Sequence, residues 1–299
     1  GQIDTNLYSF ENATITGSVG GDYLHGGTGF SHFIGGDGID NLYAGSGGSE
    51  IDGGGDGDSI SAGAGADIID GGSGDDVIGN VGVGDVIEGG TGNDRLYFDV
   101  STSSINHTIN TFTGQGVGAN WTGIEQVSGS LGSGDDTVIA GFQHEYLDGG
   151  SGTDTITADY SGARSDGKTA TYVQYQGNYN GRLIINLSSG GQIDTNLYSF
   201  EKVNITGSVG GDYLYGGSGF SHFIGGAGND SLHAGSGGSE IDGGSGDDSI
   251  GADAGADLID GGSGDDVIYN IALGDVIEGG SGNDRLYFDV STSSINHTI

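Results

Sequence analysis

The chain has no cysteine, no proline and no methionine, and only 6 basic residues among 299. Without cysteine there are no disulfides and no thiol chemistry, so the cross-links that staple many extracellular domains are excluded. The lack of methionine removes a common oxidation target. No apolar run reaches the roughly 18 residues of a membrane-spanning helix. The N-terminus shows no signal-peptide pattern, and no stretch has the periodicity of an amphipathic helix. Against the 6 basic residues stand 42 acidic ones, a formal net charge of −36. That balance argues against nucleic acid as a partner and against direct binding to, or insertion into, an anionic membrane. Hydrophobic residues make up 33%. Low hydrophobicity with high net charge is the composition of a disordered chain, and self-repulsion of this size opposes compaction.

What the chain has instead is glycine, 69 residues of it, in a fixed order. Read in steps of nine from Gly17, it stays in phase through Tyr97 as nine consecutive nonapeptides. The pattern is Gly-Gly-x-Gly-x-Asp-x-(Ile/Leu/Val/Phe)-x. The sixth place holds Asp22, Asp40, Asp58, Asp67, Asp76, Asp85 and Asp94, with Ser31 and Ser49 at the two remaining positions. The eighth place is always apolar: Leu24, Phe33, Leu42, Ile51, Ile60, Ile69, Ile78, Ile87 and Leu96. A short fixed period of this kind is the signature of a solenoid.

The stretches Gly35-Gly36-Asp37-Gly38-Ile39-Asp40-Asn41-Leu42-Tyr43 and Gly89-Gly90-Thr91-Gly92-Asn93-Asp94-Arg95-Leu96-Tyr97 fit every defining place. They resemble the RTX calcium-binding nonapeptides of secreted bacterial proteins. The resemblance implies an all-β fold, a parallel β-roll or β-solenoid. In it the glycine half of each repeat is a turn, the x-U-x half is a short strand, two nonapeptides make one coil, and calcium sits between stacked turns. It also implies export through a C-terminal signal, hence an extracellular or cell-surface location in a bacterium with type I secretion.

The residues support this reading on their own. Consecutive glycines accept positive φ and tight turns with exposed carbonyls. Asp76-Val77-Ile78 is too short for a helix and long enough for one strand rung. Calcium takes six to eight hard oxygen ligands, mixing carboxylates with carbonyls, and aspartate beside glycine carbonyls supplies both. Bound Ca²⁺ would cancel the charge and tie the turns, making folding and metal binding one event.

A longer repetition overlies the short one. Residues 1–109 recur as 191–299 with 20 differences, a period of 190 residues. A copy of the first row runs from Gly207 to Tyr287, with Asp212, Asp230, Asp248, Asp257, Asp266, Asp275 and Asp284 at the sixth place. A row of three spans 131–157, with Asp136, Glu145 and Asp154 at the sixth place. The candidate calcium ligands are all of these sixth-place aspartates. Gly55-Asp56-Gly57 becomes Ser245-Gly246-Asp247 in the copy, which restores the motif. Both ends cut through a period, which fits a segment of a longer tandem array, a processed chain, or part of one protein with two such blocks.

The expected organisation follows: the end of a connector (1–16), a first β-roll block (17–97), a connector (98–130), the short block (131–157), a connector (158–206), a second β-roll block (207–287) and the start of the next connector (288–299). Turns of successive nonapeptides should lie on opposite edges, so residues 18 apart stack. One edge reads Asp22, Asp40, Asp58, Asp76, Asp94. The other reads Ser31, Ser49, Asp67, Asp85, and should hold only a partial calcium ladder, its serine gap hydrogen-bonded, hydrated or covered. The connectors read as wider β-coils with hairpin excursions, strand-like at Thr169 to Tyr175 and at Arg182 to Leu187.

Two motifs tempt and fail. Gly162-Ala163-Arg164-Ser165-Asp166-Gly167-Lys168-Thr169 spells a phosphate-binding loop, but that chemistry needs a helix to follow, and a strand pattern follows. His32 and His222 beside the serine gap read as surface histidines rather than zinc ligands. No nucleophile and base are singled out, so no enzyme activity is expected. The expected role is structural: a calcium-stabilised β-solenoid in a surface layer, filament or adhesin stalk, its partners copies of itself and cell-surface glycans. A glycan- or ice-binding module, or the tail of a secreted enzyme or toxin, are the alternatives.

Overall fold

The computed structural model describes residues 2–6, 12–111, 113–141, 144–162, 170–176, 181–187 and 192–287. Among these every regular element is a β-strand. The chain packs as two compact units, Gly1–Gly152 and Thr153–Ile299.

In the first unit the nonapeptides alternate between two parallel sheets. One sheet contains Tyr23–His25, Asn41–Tyr43, Ser59–Ser61, Val77–Gly79 and Arg95–Asp99. The other contains Asn12–Thr16, Phe30–Asp37, Ser49–Gly55, Ile68–Asp70 and Val86–Glu88. Register is set by the eighth place. Leu24 pairs with Leu42, then Ile60, Ile78 and Leu96, and Phe33 with Ile51, Ile69 and Ile87. Residues 18 apart therefore stack, and two nonapeptides make one coil. A slip of one residue would turn every one of these side chains outward.

All nine eighth-place residues of this row are buried, none more than 2% exposed. Each contributes about 1.5–3 kcal/mol. Ordering a single residue's backbone costs about 1–2 kcal/mol, and each nonapeptide offers one such side chain. The core alone is too thin to hold the coil, which places the burden on the turns. Two strands run further into the glycine half than the repeat pattern suggests, because ladder pairing continues from Gly36 to Gly54 and from Asp37 to Gly55.

The connector of this unit joins both sheets. Trp121 stacks below Ile87 and Val127 below Leu96, and both are buried. Between Leu96 and Val127 the chain makes an antiparallel excursion through Thr108–Asn110, Gln115–Gly116 and Ala119–Thr122.

The second unit repeats the plan. Thr155–Asp159 is followed in one sheet by Lys202–Thr206, Phe220–Ala227, Ser239–Ser245, Leu258–Asp260 and Val276–Glu278. An antiparallel meander of Ala170–Gln176, Arg182–Leu187 and Gln192–Tyr198 feeds the other sheet at Tyr213–Tyr215. Ser231–His233, Ser249–Gly251, Val267–Tyr269 and Arg285–Leu286 continue it. The eighth place is buried through Ile268, while Leu286 is 44% exposed. Most of the phosphate-loop lookalike, 163–169, and the segment 288–299 lie outside the described residues. A strand, Ala170–Gln176, follows the lookalike.

Candidate metal centre

Each turn on the unbroken aspartate edge brings three groups together: the first-place glycine, the sixth-place aspartate and the first-place carbonyl of the next coil. A side-chain carbon on Gly35 would collide with Asp40 Oδ2 and with the Gly53 carbonyl oxygen. Gly53 is related in the same way to Asp58 and Gly71, Gly71 to Asp76 and Gly89, Gly225 to Asp230 and Gly243, Gly243 to Asp248 and Gly261, and Gly261 to Asp266 and Gly279. Only glycine permits that approach. The second-place glycines Gly36, Gly54, Gly72 and Gly90 have φ near +100°, the range from 99° to 108°, which side-chain-bearing residues rarely adopt. At the fourth place Asp56 stands at φ 68, where the copy has Gly246.

The carboxylates form a ladder. One oxygen, Oδ1, accepts the N–H of the aspartate one coil earlier: Asp22 to Asp40 at 2.6 Å, Asp40 to Asp58 at 2.8 Å, Asp58 to Asp76 at 2.7 Å and Asp76 to Asp94 at 2.9 Å. The second unit repeats this from Asp212 through Asp230, Asp248 and Asp266 to Asp284. On the other edge Asp67 donates to Asp85 and Asp257 to Asp275.

The second oxygen is the informative one. In Asp40, Asp58, Asp67, Asp76, Asp94, Asp230, Asp248, Asp257 and Asp266, Oδ2 is buried and no protein group donates to it. On the unbroken edge it faces a glycine carbonyl oxygen. Two acceptors face to face repel unless a cation lies between them, and a buried polar atom without a partner costs roughly 1–3 kcal/mol. Burial, aided by like charges along the ladder, pushes the carboxyls of Asp58, Asp230 and Asp248 up to about 7. Asp67 and Asp257 rise to about 6 for the same reasons. Asp40, Asp76, Asp94 and Asp266 also shift upward, burial again the main cause.

The remaining sixth-place residues are placed differently. Burial raises Asp22, but donors outweigh it and hold the carboxyl low: the N–H groups of Ile3 and Ser18 and the Ser18 hydroxyl. Asp212 takes the Ser208 N–H and hydroxyl. Asp85 Oδ2 accepts the Gly82 N–H at 2.8 Å, and Asp275 Oδ2 the Ala272 N–H at 2.6 Å. These turns lack the first two glycines and close on the carboxylate themselves. Asp136 accepts the His107 N–H, and Asp154 donates its N–H to Glu201 at 2.9 Å. Glu145 is buried and accepts from the Thr111 hydroxyl and the Gly141 N–H. Burial pushes its carboxyl up to about 7.

The serine gap is hydrogen-bonded at Ser49 and Ser239, while Ser221 Oγ is buried without a partner. Ser49 Oγ donates to the carbonyls of Ala44 and Gly47, both at 3.3 Å, and Ser239 Oγ to Ala234 at 3.0 Å and Gly237 at 3.3 Å. A hydroxyl thus occupies the first-place carbonyl, of Ala44 or Ala234, the place whose carbonyl faces a carboxylate on the aspartate edge. Among the described residues no three His, Cys, Asp or Glu side chains cluster for a metal. An ion in these turns is therefore held by one or two carboxylates together with main-chain carbonyls, a donor set that suits a hard cation with six to eight oxygens. The residues fit calcium.

The family described as RTX calcium-binding nonapeptide repeat (4 copies) matches residues 16–51, 48–78, 83–99, 130–156, 206–241, 240–268 and 274–289, more than half of the chain. The chain belongs to the RTX calcium-binding repeat family. No curated protein matches it. The RTX matches cover most of the three rows read from the sequence and pass over most of both connectors. Two carboxylates that neither the period nor the RTX match singles out join the ladder. Asp94 donates its N–H to Glu125 Oε2 at 2.9 Å, as Asp154 does to Glu201. The signal for them is faint: each precedes by two residues an apolar residue that the fold buries, Val127 and Val203.

Proposed function

We propose that this chain is a structural segment of an extracellular filament, surface layer or adhesin stalk, stiffened by calcium and partnered chiefly by copies of itself. The observation that carries the reading is the recurrence of 109 residues at a spacing of 190 with 20 differences. A catalytic tail has no need of a long unit repeated at constant length, whereas a fibre gains reach with each copy. RTX repeats are typical of secreted bacterial proteins, which supports a cell-surface location reached by type I export. The ion supplies positive charge and multidentate oxygen coordination between turns; the aspartates and glycine carbonyls of this chain position it and set its affinity. In this reading calcium-poor conditions keep the chain expanded, calcium outside the cell folds it, and the segment is not an enzyme.

The test is light scattering with electron microscopy on calcium-loaded and EDTA-treated chain. Elongated particles that lengthen with calcium are expected. Calcium-independent hydrolase turnover, or compact particles of unchanged size in both states, would overturn the proposal.

A further inference from the structure

We propose that Glu125 and Glu201 are calcium ligands that extend the ladder where a row of nonapeptides runs into a connector. This rests on the calcium reading of the rows and adds sites at residues that the family match does not cover.

The two glutamates take the part that a sixth-place aspartate plays within a row. Within a row, Asp76 donates its N–H to Asp94, and the seventh-place Arg95 donates its N–H to the Asp76 carbonyl at 2.8 Å. One step later Asp94 donates to Glu125, and Gln126 donates to the Asp94 carbonyl at 2.9 Å. In the second unit Asp154 donates to Glu201, and Lys202 donates to the Asp154 carbonyl at 3.0 Å. Gln126 and Lys202 therefore hold the seventh place. Val127 and Val203, at 1% and 4% exposure, hold the eighth.

The first place is also filled. A carbon on Gly71 would collide with the Gly89 carbonyl oxygen, and a carbon on Gly89 with that of Gly123. Asp94 Oδ2 points into that cradle, fully buried and without a hydrogen-bond partner. It thus meets a carbonyl oxygen and has a second carboxylate bound to its own N–H, the arrangement repeated inside the row. The connector reaches it with less chain. From Gly89 to Asp94 there are three intervening residues more than from Gly123 to Glu125. The extra methylene of glutamate makes up the reach that the shorter turn gives away.

The test uses the whole chain, calcium, and terbium as a luminescent substitute. Glu125→Gln keeps an oxygen able to accept the Asp94 N–H and removes the charge. Trp121, the one tryptophan in the chain, lies four residues before Glu125, so terbium emission sensitised through it reports on this site. Expected are one fewer calcium ion per chain for Glu125→Gln and for Glu201→Gln, with tryptophan-sensitised emission lost only in the former. Glu88→Gln, on an outer sheet face, should change neither. Unchanged stoichiometry and emission in Glu125→Gln, with the unaltered chain loading normally, would overturn the assignment. Failure of the unaltered chain to bind calcium at all would instead refute the calcium reading beneath it. Should Glu125→Gln not fold, raising calcium decides: rescue supports a ligand, and persistent unfolding marks a purely structural role.

Discussion

The two turn edges of the coil are built from the same nonapeptide and solve the same problem in opposite ways. On one edge Asp40, Asp58, Asp76 and Asp94 each leave a buried oxygen with no donor, and along Asp40, Asp58 and Asp76 it faces a glycine carbonyl. On the other, Ser49 turns its hydroxyl onto the carbonyls of Ala44 and Gly47, and Asp85 is satisfied by the Gly82 N–H. Without a cation the first edge is electrostatically incomplete from Asp40 to Asp94, whereas the second is incomplete only at Asp67, whose Oδ2 is likewise buried with no donor. The sixth-place residue, with the glycines before it, decides which. A solenoid can thus be calcium-gated along one edge while the other needs an ion only beside Asp67 and is tied elsewhere by ordinary hydrogen bonds.

The largest effect that would sharpen this comparison comes from the incomplete edge. Asp58→Asn with Asp76→Asn removes two neighbouring carboxylates from the middle of the ladder. Removing one partner of a buried charge interaction costs about 3–5 kcal/mol. Thermal unfolding in saturating calcium should show a loss of at least that size, together with fewer bound ions by equilibrium dialysis. Next comes the core, which the two edges share. Ile60→Ala and Ile69→Ala should each cost about 2–5 kcal/mol, by similar amounts in denaturant titrations, because the two side chains are equally buried on opposite sheets.

Acidity acts with the same sign on the unpartnered carboxylates of both edges. In the metal-free fold Asp58, Asp230 and Asp248 titrate near 7, and Asp67 and Asp257 near 6, all above the ordinary 3.8. A raised carboxyl pKa means the folded state holds protons that the unfolded state releases. The stability this gives is present below the unfolded value and is lost as pH rises through the folded one. In EDTA, residual β signal should therefore fall from about pH 4 to about pH 7. In limiting calcium the trend should reverse, since protons compete with the ion for the same oxygens. Parallel trends in the two conditions would contradict the assignment of these carboxylates.

The smallest effect lies at the serines of the second edge. Ser49→Ala removes neutral hydrogen bonds and should cost about 0.5–1.5 kcal/mol without changing the calcium count. Ser49→Asp with Ala44→Gly should break the comparison by adding an ion there.

Much of this was legible in the sequence, for a definite reason. The period of nine fixes which side chain points inward, so Leu24 through Leu96 identified the core and the register of 18 together. The sixth-place aspartates located the ladder. What the period could not reveal depends on closure in three dimensions. Glu125 and Glu201 lie 31 and 47 residues beyond their partners instead of 18, because each connector inserts an antiparallel excursion before returning to the stack. That Asp85 is satisfied by its own turn follows from the local geometry around Asn80, which stands at φ 56, and not from the identity of the aspartate.

The central claim is that calcium completes the aspartate edge and thereby folds the chain. Circular dichroism of the EDTA-treated protein during calcium titration, with magnesium as the control, tests it most directly. A cooperative coil-to-β transition with calcium, absent with magnesium at the same concentrations, is the predicted result. A chain already fully β in EDTA would contradict the account and shift the source of stability to the Ile and Leu ladder and the connectors.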